Sequence, residues 1–357
     1  MEIRTLGSKE RLLAASLLDS WRLAEGWSAG DRFRRQAEFD PTWSDENVFI
    51  AVEQEKPVAL LSVFPRRLRI LGHEIPSGGI GNLYTLPELR GQGIATELID
   101  SACDAMRTRG LELAVTFPGH SPATPEFFAK RGWHTWGGQQ TILRRESEPA
   151  RRKTAGEDEA FEIRAVSAGD TRILQSVKSI HAAYSASRSG TVVRDDLLWA
   201  ACFELLPAPR EEFWAVRRGG LTVAYVRASI VDDVLTITEF GRFEDGADAL
   251  ARLIASLLEP RADDPLCEAA DGRIASDELR SFAVLPAFDD IGLTVALEHC
   301  GIRSHPMDDA RASFRCVNLI GFASRLDVDL LPEEDGTGLL KRILPPDGMV
   351  FWPVDRF

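Results

Sequence analysis

No apolar run in this 357-residue chain approaches the roughly 20 residues that a membrane-crossing helix needs. Met1 to Ser20 shows no apolar core behind a basic start, so an export signal is not expected. Cysteine is scarce: five residues, an odd count with no Cys-x-x-Cys pair, fit neither a disulfide framework nor a metal site. A reducing compartment follows as the expectation, with the cytoplasm as default. No Gly-Lys-Ser/Thr is present to hold a nucleoside triphosphate, and no Gly-x-Gly-x-x-Gly to hold a dinucleotide. Basic charge is in deficit as well. Lys and Arg number 42 against 55 Asp and Glu, a net charge of −13 that disfavours nucleic acid and suits a cationic amine, while also serving solubility.

What is present is 44% hydrophobic and long enough for two domains of ordinary size. The stretch from Gly78 to Trp133 carries the chemistry. Gly81 to Leu86 reads as a short strand stopped by Pro87, which has no amide to continue a ladder. Ala95, Leu98, Ile99, Ala102, Ala105 and Met106 then recur at helical spacing, with Gly110 as C-cap. Arg90-Gly91-Gln92-Gly93-Ile94-Ala95 thus falls where strand becomes helix. The first-turn amides have no intrahelical acceptor, the helix dipole adds positive charge, and the glycines remove side chains that would hold a ligand away. Such a turn suits a phosphate or pyrophosphate. Leu111 to Phe117 alternates as a further strand, and a short helix from Pro122 to Lys130 ends at Gly132-Trp133.

With these motifs in place, Leu83 to Trp133 resembles the GNAT superfamily of acyl-CoA-dependent N-acyltransferases, down to Phe127-Phe128-x-x-x-Gly132-Trp133 against the family's Phe-Tyr-x-x-x-Gly-aromatic. Phe117-Pro118 and the Gly-Trp ending resemble more narrowly the tandem-domain enhanced intracellular survival (Eis) type. The resemblance implies acetyl-CoA as cosubstrate, held by Leu83, Tyr84, Thr85, Arg90, Gly91, Gln92, Gly93, Ile94, Ala95 and Thr96. Leu83 and Thr85 would act through backbone groups, pairing with the pantetheine and polarising the thioester. The family's acid tyrosine is here Phe128, which cannot donate a proton, so Phe128→Tyr is expected to raise the rate. Nearby donors include His120, Ser121 and Tyr84. In Eis-type proteins the C-terminal carboxylate is assigned as general base, which offers Phe357 for that role.

The remaining chain sorts around this centre. Glu2 to Leu6 reads as a strand, Lys9 to Leu23 as a helix with Leu12, Leu13, Leu17 and Trp21 along one side, and Ala29 to Phe39 as a looser helix. Val48 to Val52 and Val58 to Val63 read as strands, followed by Arg66, Arg67 and Arg69 as a solvated hairpin. Residues 148–160 are dense in charge of both signs, with no apolar periodicity, and read as a linker. Beyond them Glu162-Ile163-Arg164 echoes Glu2-Ile3-Arg4, and Phe213 to Val216 echoes Phe49 to Val52. In this second copy Glu244 and Asp245 stand where a pyrophosphate would bind, and like charges repel.

The expected fold is therefore α/β with a mixed sheet: a GNAT domain at 1–147, the linker, a degenerate GNAT-like domain at 161–328 with Ala312 to Phe322 as its last strand, and a C-terminal helix and tail at 329–357. The expected function is acetyl transfer to a primary amine of a small molecule or peptide, with no nucleic-acid or membrane partner and with self-association left open. Two rivals stand beside it: a catalytically weak acyl-CoA sensor, and a tandem biosynthetic enzyme resembling mycothiol synthase.

Overall fold

The computed structural model describes residues 1–23, 26–117, 123–146, 161–205, 209–261, 266, 275–286, 289–344, 349–350, 352 and 355. The first half runs β1 (Glu2–Thr5), α1 (Arg11–Leu18), α2 (Ala29–Phe39), β2 (Val48–Glu53), β3 (Lys56–Ile70), β4 (His73–Thr85), α3 (Ile94–Thr108), β5 (Leu113–Thr116), α4 (Ala123–Ala129) and β6 (His134–Arg145). The second repeats the scheme: β7 (Phe161–Ala165), α5 (Thr171–Ala186), α6 (Asp196–Ala201), β8 (Glu212–Arg218), β9 (Leu221–Val231), β10 (Val234–Arg242), α7 (Ala247–Leu257), α8 (Ser276–Leu279), β11 (Phe282–Pro286), α9 (Ile291–His299) and β12 (Ile302–Cys316). Two helices follow, α10 (Leu319–Arg325) and α11 (Gly336–Ile343).

Among the described residues the strands form one sheet, in the order β1-β2-β3-β4-β5-β12-β6-β11-β10-β9-β8-β7. The pairs β4/β5 and β10/β11 are parallel, spanned by α3 and α7, and the other pairs are antiparallel. The two halves exchange strands at the centre. β12, from the end of the second half, lies between β5 and β6 of the first, while β6 pairs with β11 of the second. Each half by itself would leave the open edge of its parallel pair unsatisfied.

Alternation along the strands sets the layers. Phe49 and Ala51 join the buried face of α3, formed by Ile94, Leu98, Ile99, Ala102, Cys103 and Met106. Val48, Ile50 and Val52 point the other way, against α1 and α2. On that second face α10 and α11 cover Leu68, Ile70, Leu113 and Val115. The free edge of outer β3 is taken by the second half: Arg69 N–H donates to the Thr191 carbonyl at 2.9 Å and Val193 N–H to that of Arg67 at 2.8 Å. Val350 N–H then reaches the Ser189 carbonyl at 2.8 Å, so the C-terminal segment joins the same seam.

Several expectations are revised. The first helix stops at Leu18, and its buried face is Ala14, Ala15 and Leu18; Leu12 and Leu13 are exposed. β3 continues through the arginine cluster to Ile70, and Arg66, far from solvating a hairpin, lies half-buried against the buried Asp40. The last strand is Ile302–Cys316, so Val317 to Phe322 leaves the sheet, with Asn318 capping α10 by accepting from the Gly321 amide at 3.1 Å.

Candidate active site

The site begins at a fault in β4. Opposite β3, Leu60 pairs with Tyr84 but Ser62 with Gly81, so β4 carries one extra residue and bulges at Asn82, whose φ is +52°. The parallel pairing with β5 ends at Ile80 and Thr116, where the Thr116 hydroxyl donates to the Ile80 carbonyl at 3.1 Å. Beyond that point β4 and β5 part. Asn82 Nδ2 holds the bulge by donating to Gln36 Oε1 at 2.8 Å and Ser62 Oγ at 3.1 Å.

The opening leads into a cleft of about 610 Å³ that ends at the start of α3. Gly91 and Gly93 adopt φ of +81° and +88°, left-handed values that favour glycine, and a Cβ on either would meet only open space. Gly93 caps α3 without a side-chain hydrogen bond, leaving the first-turn amides uncapped by any side chain. Arg90 donates from Nε to the Thr85 carbonyl at 3.1 Å, and its guanidinium carbon lies 5.8 Å from the Tyr84 ring centre. Trp21 stacks on Tyr84 at 5.6 Å.

Of the residues expected to hold a cofactor, Leu83, Tyr84, Thr85, Arg90, Gly91, Gly93, Ile94, Ala95 and Thr96 all line this cleft, and Gln92 does not. Ile94 turns its side chain into the core. His120, Ser121 and Phe357 lie outside the described residues. Phe128 is 2% exposed and edge-on to Trp133 at 5.1 Å in the apolar cluster under α3, whereas its neighbour Phe127 lines the cleft.

Sequence reasoning missed Arg131, in the spacer of the Phe-Phe-x-x-x-Gly motif. Its Nε donates to Thr96 Oγ1 at 2.9 Å, its Nη1 to the Phe127 carbonyl at 2.7 Å, and it lies 3.8 Å over the Phe127 ring. Arg131 therefore sets a second cation at the cleft, beside the helix start.

A second, narrower cleft lies on the other side of Gln36, between α2, β3 and the second half. Gln36, Asp40, Arg66, Arg194, Cys202 and Asp355 are among its walls. Both Asp40 oxygens are engaged: Arg66 contacts each of them, and Thr42 donates to Oδ1 from its amide at 2.9 Å and its hydroxyl at 2.7 Å. Asp355 accepts from Arg194 Nε at 2.9 Å on Oδ1. Arg194 is fixed from behind by Glu239, at 3.1 and 2.9 Å. Glu239 also accepts from the Tyr225 hydroxyl at 2.6 Å and faces His181 Nδ1 at 3.0 Å. Burial alone would raise the Glu239 carboxyl, but Arg194, His181 and Arg227 together hold it well below the usual carboxylate range. These buried groups come from elements far apart in the chain, and no local motif announces them.

Comparison with known proteins places this geometry. Residues 3–136 match the family model described as an acetyltransferase (GNAT) domain. No curated protein sequence matches the chain. Among solved structures, a probable N-acyltransferase from Enterococcus faecalis V583 is similar at a TM-score of 0.64 and 17% identity, over 91% of this chain and 74% of that one. A GCN5-related N-acetyltransferase from Anabaena variabilis gives 0.61 and 14%, over 90% and 74%. Eis1 from Mycobacterium abscessus gives 0.55 and 16%, over 91% and 76%. The amino-terminal part thus matches the GNAT domain model, and the chain as a whole shares the two-part mixed α/β fold of these proteins.

Proposed function

We propose that the protein is an N-acetyltransferase that moves the acetyl group of acetyl-CoA to a primary amine of a small molecule or peptide, in the cytoplasm. The observation that carries this reading is the parting of β4 from β5 at a bulge that opens onto a glycine cradle at a helix start. The residues fit an acyl-CoA: two left-handed glycines face open space, the first-turn amides have no side-chain cap, and Arg90 and Arg131 flank them. When bound, acetyl-CoA supplies an activated acyl group on a thiol leaving group.

The protein's own groups divide the remaining work. The cradle amides with Arg90 and Arg131 bind phosphate. Backbone amides around Leu83, at the bulge, would donate to the oxyanion charge that develops only in the transition state, and so lower the barrier. Trp21 and Phe127 exclude water from the inner cleft. The amine must be neutral to attack, and its proton leaves to a base; the Eis resemblance offers Phe357, and we retain that assignment as part of the proposal, with His120 and Tyr84 as candidate proton donors.

Calorimetry with acetyl-CoA and longer acyl-CoAs, together with thiol release across a panel of primary amines, tests the reading. Acetyl-CoA binding with amine-dependent thiol release supports it. Binding without release from any amine would replace it with the sensor reading, and release only with longer acyl-CoAs would move it to another acyl group. A few glycines added after Phe357 should lower turnover if its carboxylate is the base; unchanged turnover removes Phe357 from the mechanism.

A further inference from the structure

The second half keeps the frame of the acyl-CoA cleft but not its mouth. In the first half the bond closing the end of β4 runs from Leu86 N–H to the Val58 carbonyl at 3.0 Å, and its twin runs from Phe243 N–H to the Val223 carbonyl at 3.0 Å. Counting back three residues from each donor pairs Leu83 with Phe240. Both strands carry a bulge just before that point. Tyr184, late in α5, lies 5.7 Å from Phe240, whereas Trp21, just after α1, lies against Tyr84, whose counterpart by the same count is Gly241. The frame is conserved within the molecule.

The mouth is closed by chain length and by charge. Residues 86–93 separate β4 from α3, but only residues 243–246 separate β10 from α7. A Cβ on Gly246 would sit 2.6 Å from the Val223 carbonyl oxygen, where Gly91 and Gly93 face open space. Arg242, at the position of Thr85, is bound by Asp290 at 2.9 and 2.6 Å.

The interior is filled by the chain itself. Trp352 is 1% exposed, edge-on to Phe240 at 5.0 Å and stacked on Tyr184 at 6.5 Å. Its ring packs against Phe240, the counterpart of Leu83 in the first half's cleft. Three residues on, Asp355 reaches the wall of the narrow cleft, where Oδ1 is taken by Arg194 and Oδ2 has no hydrogen-bond partner among the described residues. Asp40 already holds Arg66 on both oxygens and Thr42 on Oδ1, so of the two carboxylates lining the cleft Asp355 has the oxygen without a hydrogen-bond partner among the described residues. Asp355 N–H donates to the Trp352 carbonyl at 2.9 Å, which ties the position of one residue to that of the other.

We infer that the disused thioester pocket of the second half is a socket for the C-terminal segment, and that Trp352, seated in it, is a positioning residue that sets Asp355 as the acceptor-facing carboxylate of the first half's site. This rests on the first cleft being the acyl-CoA site and the narrow cleft the acceptor site.

The test uses the full chain with Trp352→Ala, Trp352→Phe and Asp355→Asn. Cys202 shares the narrow cleft with Asp355 and is buried, so its alkylation by N-ethylmaleimide, mapped by mass spectrometry, reports the seating of the segment without any turnover. In Trp352→Ala we expect Cys202 to label about tenfold faster, with Cys103 and Cys316 unchanged as internal controls. The KM for the best amine of the panel should rise about tenfold, with acetyl-CoA affinity held within about twofold. Trp352→Phe should restore both readouts. Asp355→Asn should raise the amine KM alone.

Cys202 labelling at the wild-type rate in Trp352→Ala overturns the socket. Faster labelling with an unchanged amine KM, or an equal loss of acetyl-CoA affinity, overturns the positioning role. If Trp352→Ala does not fold, Trp352→Leu takes its place with the same expectations. If wild type binds no acetyl-CoA, the acetyltransferase reading fails separately, and the labelling arm still decides the socket.

Discussion

Alanine at Gly93, compared with alanine at Gly110, separates a glycine needed by the backbone from one needed by a ligand. Gly93 opens α3 at φ +88° and Gly110 follows its far end at φ +77°, and a Cβ on either meets nothing within 4 Å. Left-handed strain of about 1–2 kcal/mol, partly offset by the stiffer unfolded chain, should therefore cost each variant about 1 kcal/mol of stability. Urea melts should show equal losses. Affinity should differ. A methyl group at Gly93 enters the space assigned to phosphate and forfeits one or two charge-assisted hydrogen bonds, at about 1.5–3 kcal/mol each. At about 1.4 kcal/mol per factor of ten, acetyl-CoA binding by calorimetry at fixed salt should weaken by about tenfold, for one weak bond, to about ten-thousandfold, for two strong ones, in Gly93→Ala, and not in Gly110→Ala. Equal, wild-type affinities in both variants would reduce Gly93 to a turn residue and remove the main support for the cradle.

Phe128→Tyr, expected from the motif to speed the reaction, should instead cost about 1–3 kcal/mol in a thermal melt, because its hydroxyl enters an apolar cluster without a partner; a rate gain at wild-type stability would refute this. Asp290, which burial alone would raise, is held below the usual carboxyl range by Arg242 and the Leu293 amide. Its contribution is thus present above about pH 4 and lost as pH falls through the folded value, so the stability gap between wild type and Asp290→Asn should close in acid, and a gap that widens there refutes the pairing. Burial pushes the Cys103 thiol up to about 11 and that of Cys316 to about 12. At pH 8 only about a thousandth or less of each is thiolate, and alkylation of the native chain should spare both. A protease site placed at Ala155 should, once cut, leave the two pieces together on a sizing column, since β12 is held between β5 and β6; separation into two folded pieces would contradict the strand exchange.

The legible parts of this molecule were those fixed by local rules. α3 could be read because its apolar residues repeat at helical spacing between a glycine turn and a glycine stop, and the cleft at its start followed from the same few residues. Outer β3 could not. Pro65-Arg66-Arg67 reads as a polar break, yet it is strand, because β4 and the segment around Thr191 supply partners from elsewhere in the chain. The end of β12 was misplaced for a related reason: its boundary depends on β5 and β6, about 170 to 200 residues earlier, and not on its own pattern. Phe128 shows the limit of a motif match, since spacing located the position while packing decided which of two adjacent phenylalanines faces the cleft. Arg131 was legible in principle, as a basic residue in the motif's spacer, but nothing local tied it to Thr96.

The exchanged strand also sets a clock on synthesis. β6 ends at Arg145 and β12 at Cys316, so 316 − 145 = 171 residues must still be made before the gap between β5 and β6 can be filled. At about 5–20 residues per second, the first half waits on the ribosome for roughly 9–34 s with two strand edges unpaired and the apolar faces of Leu113 and Val115 uncovered by α10 and α11. Slowing translation after residue 161 should therefore raise aggregation of the nascent chain, while a chaperone that shields extended segments should matter more to its yield than to the stability of the finished protein.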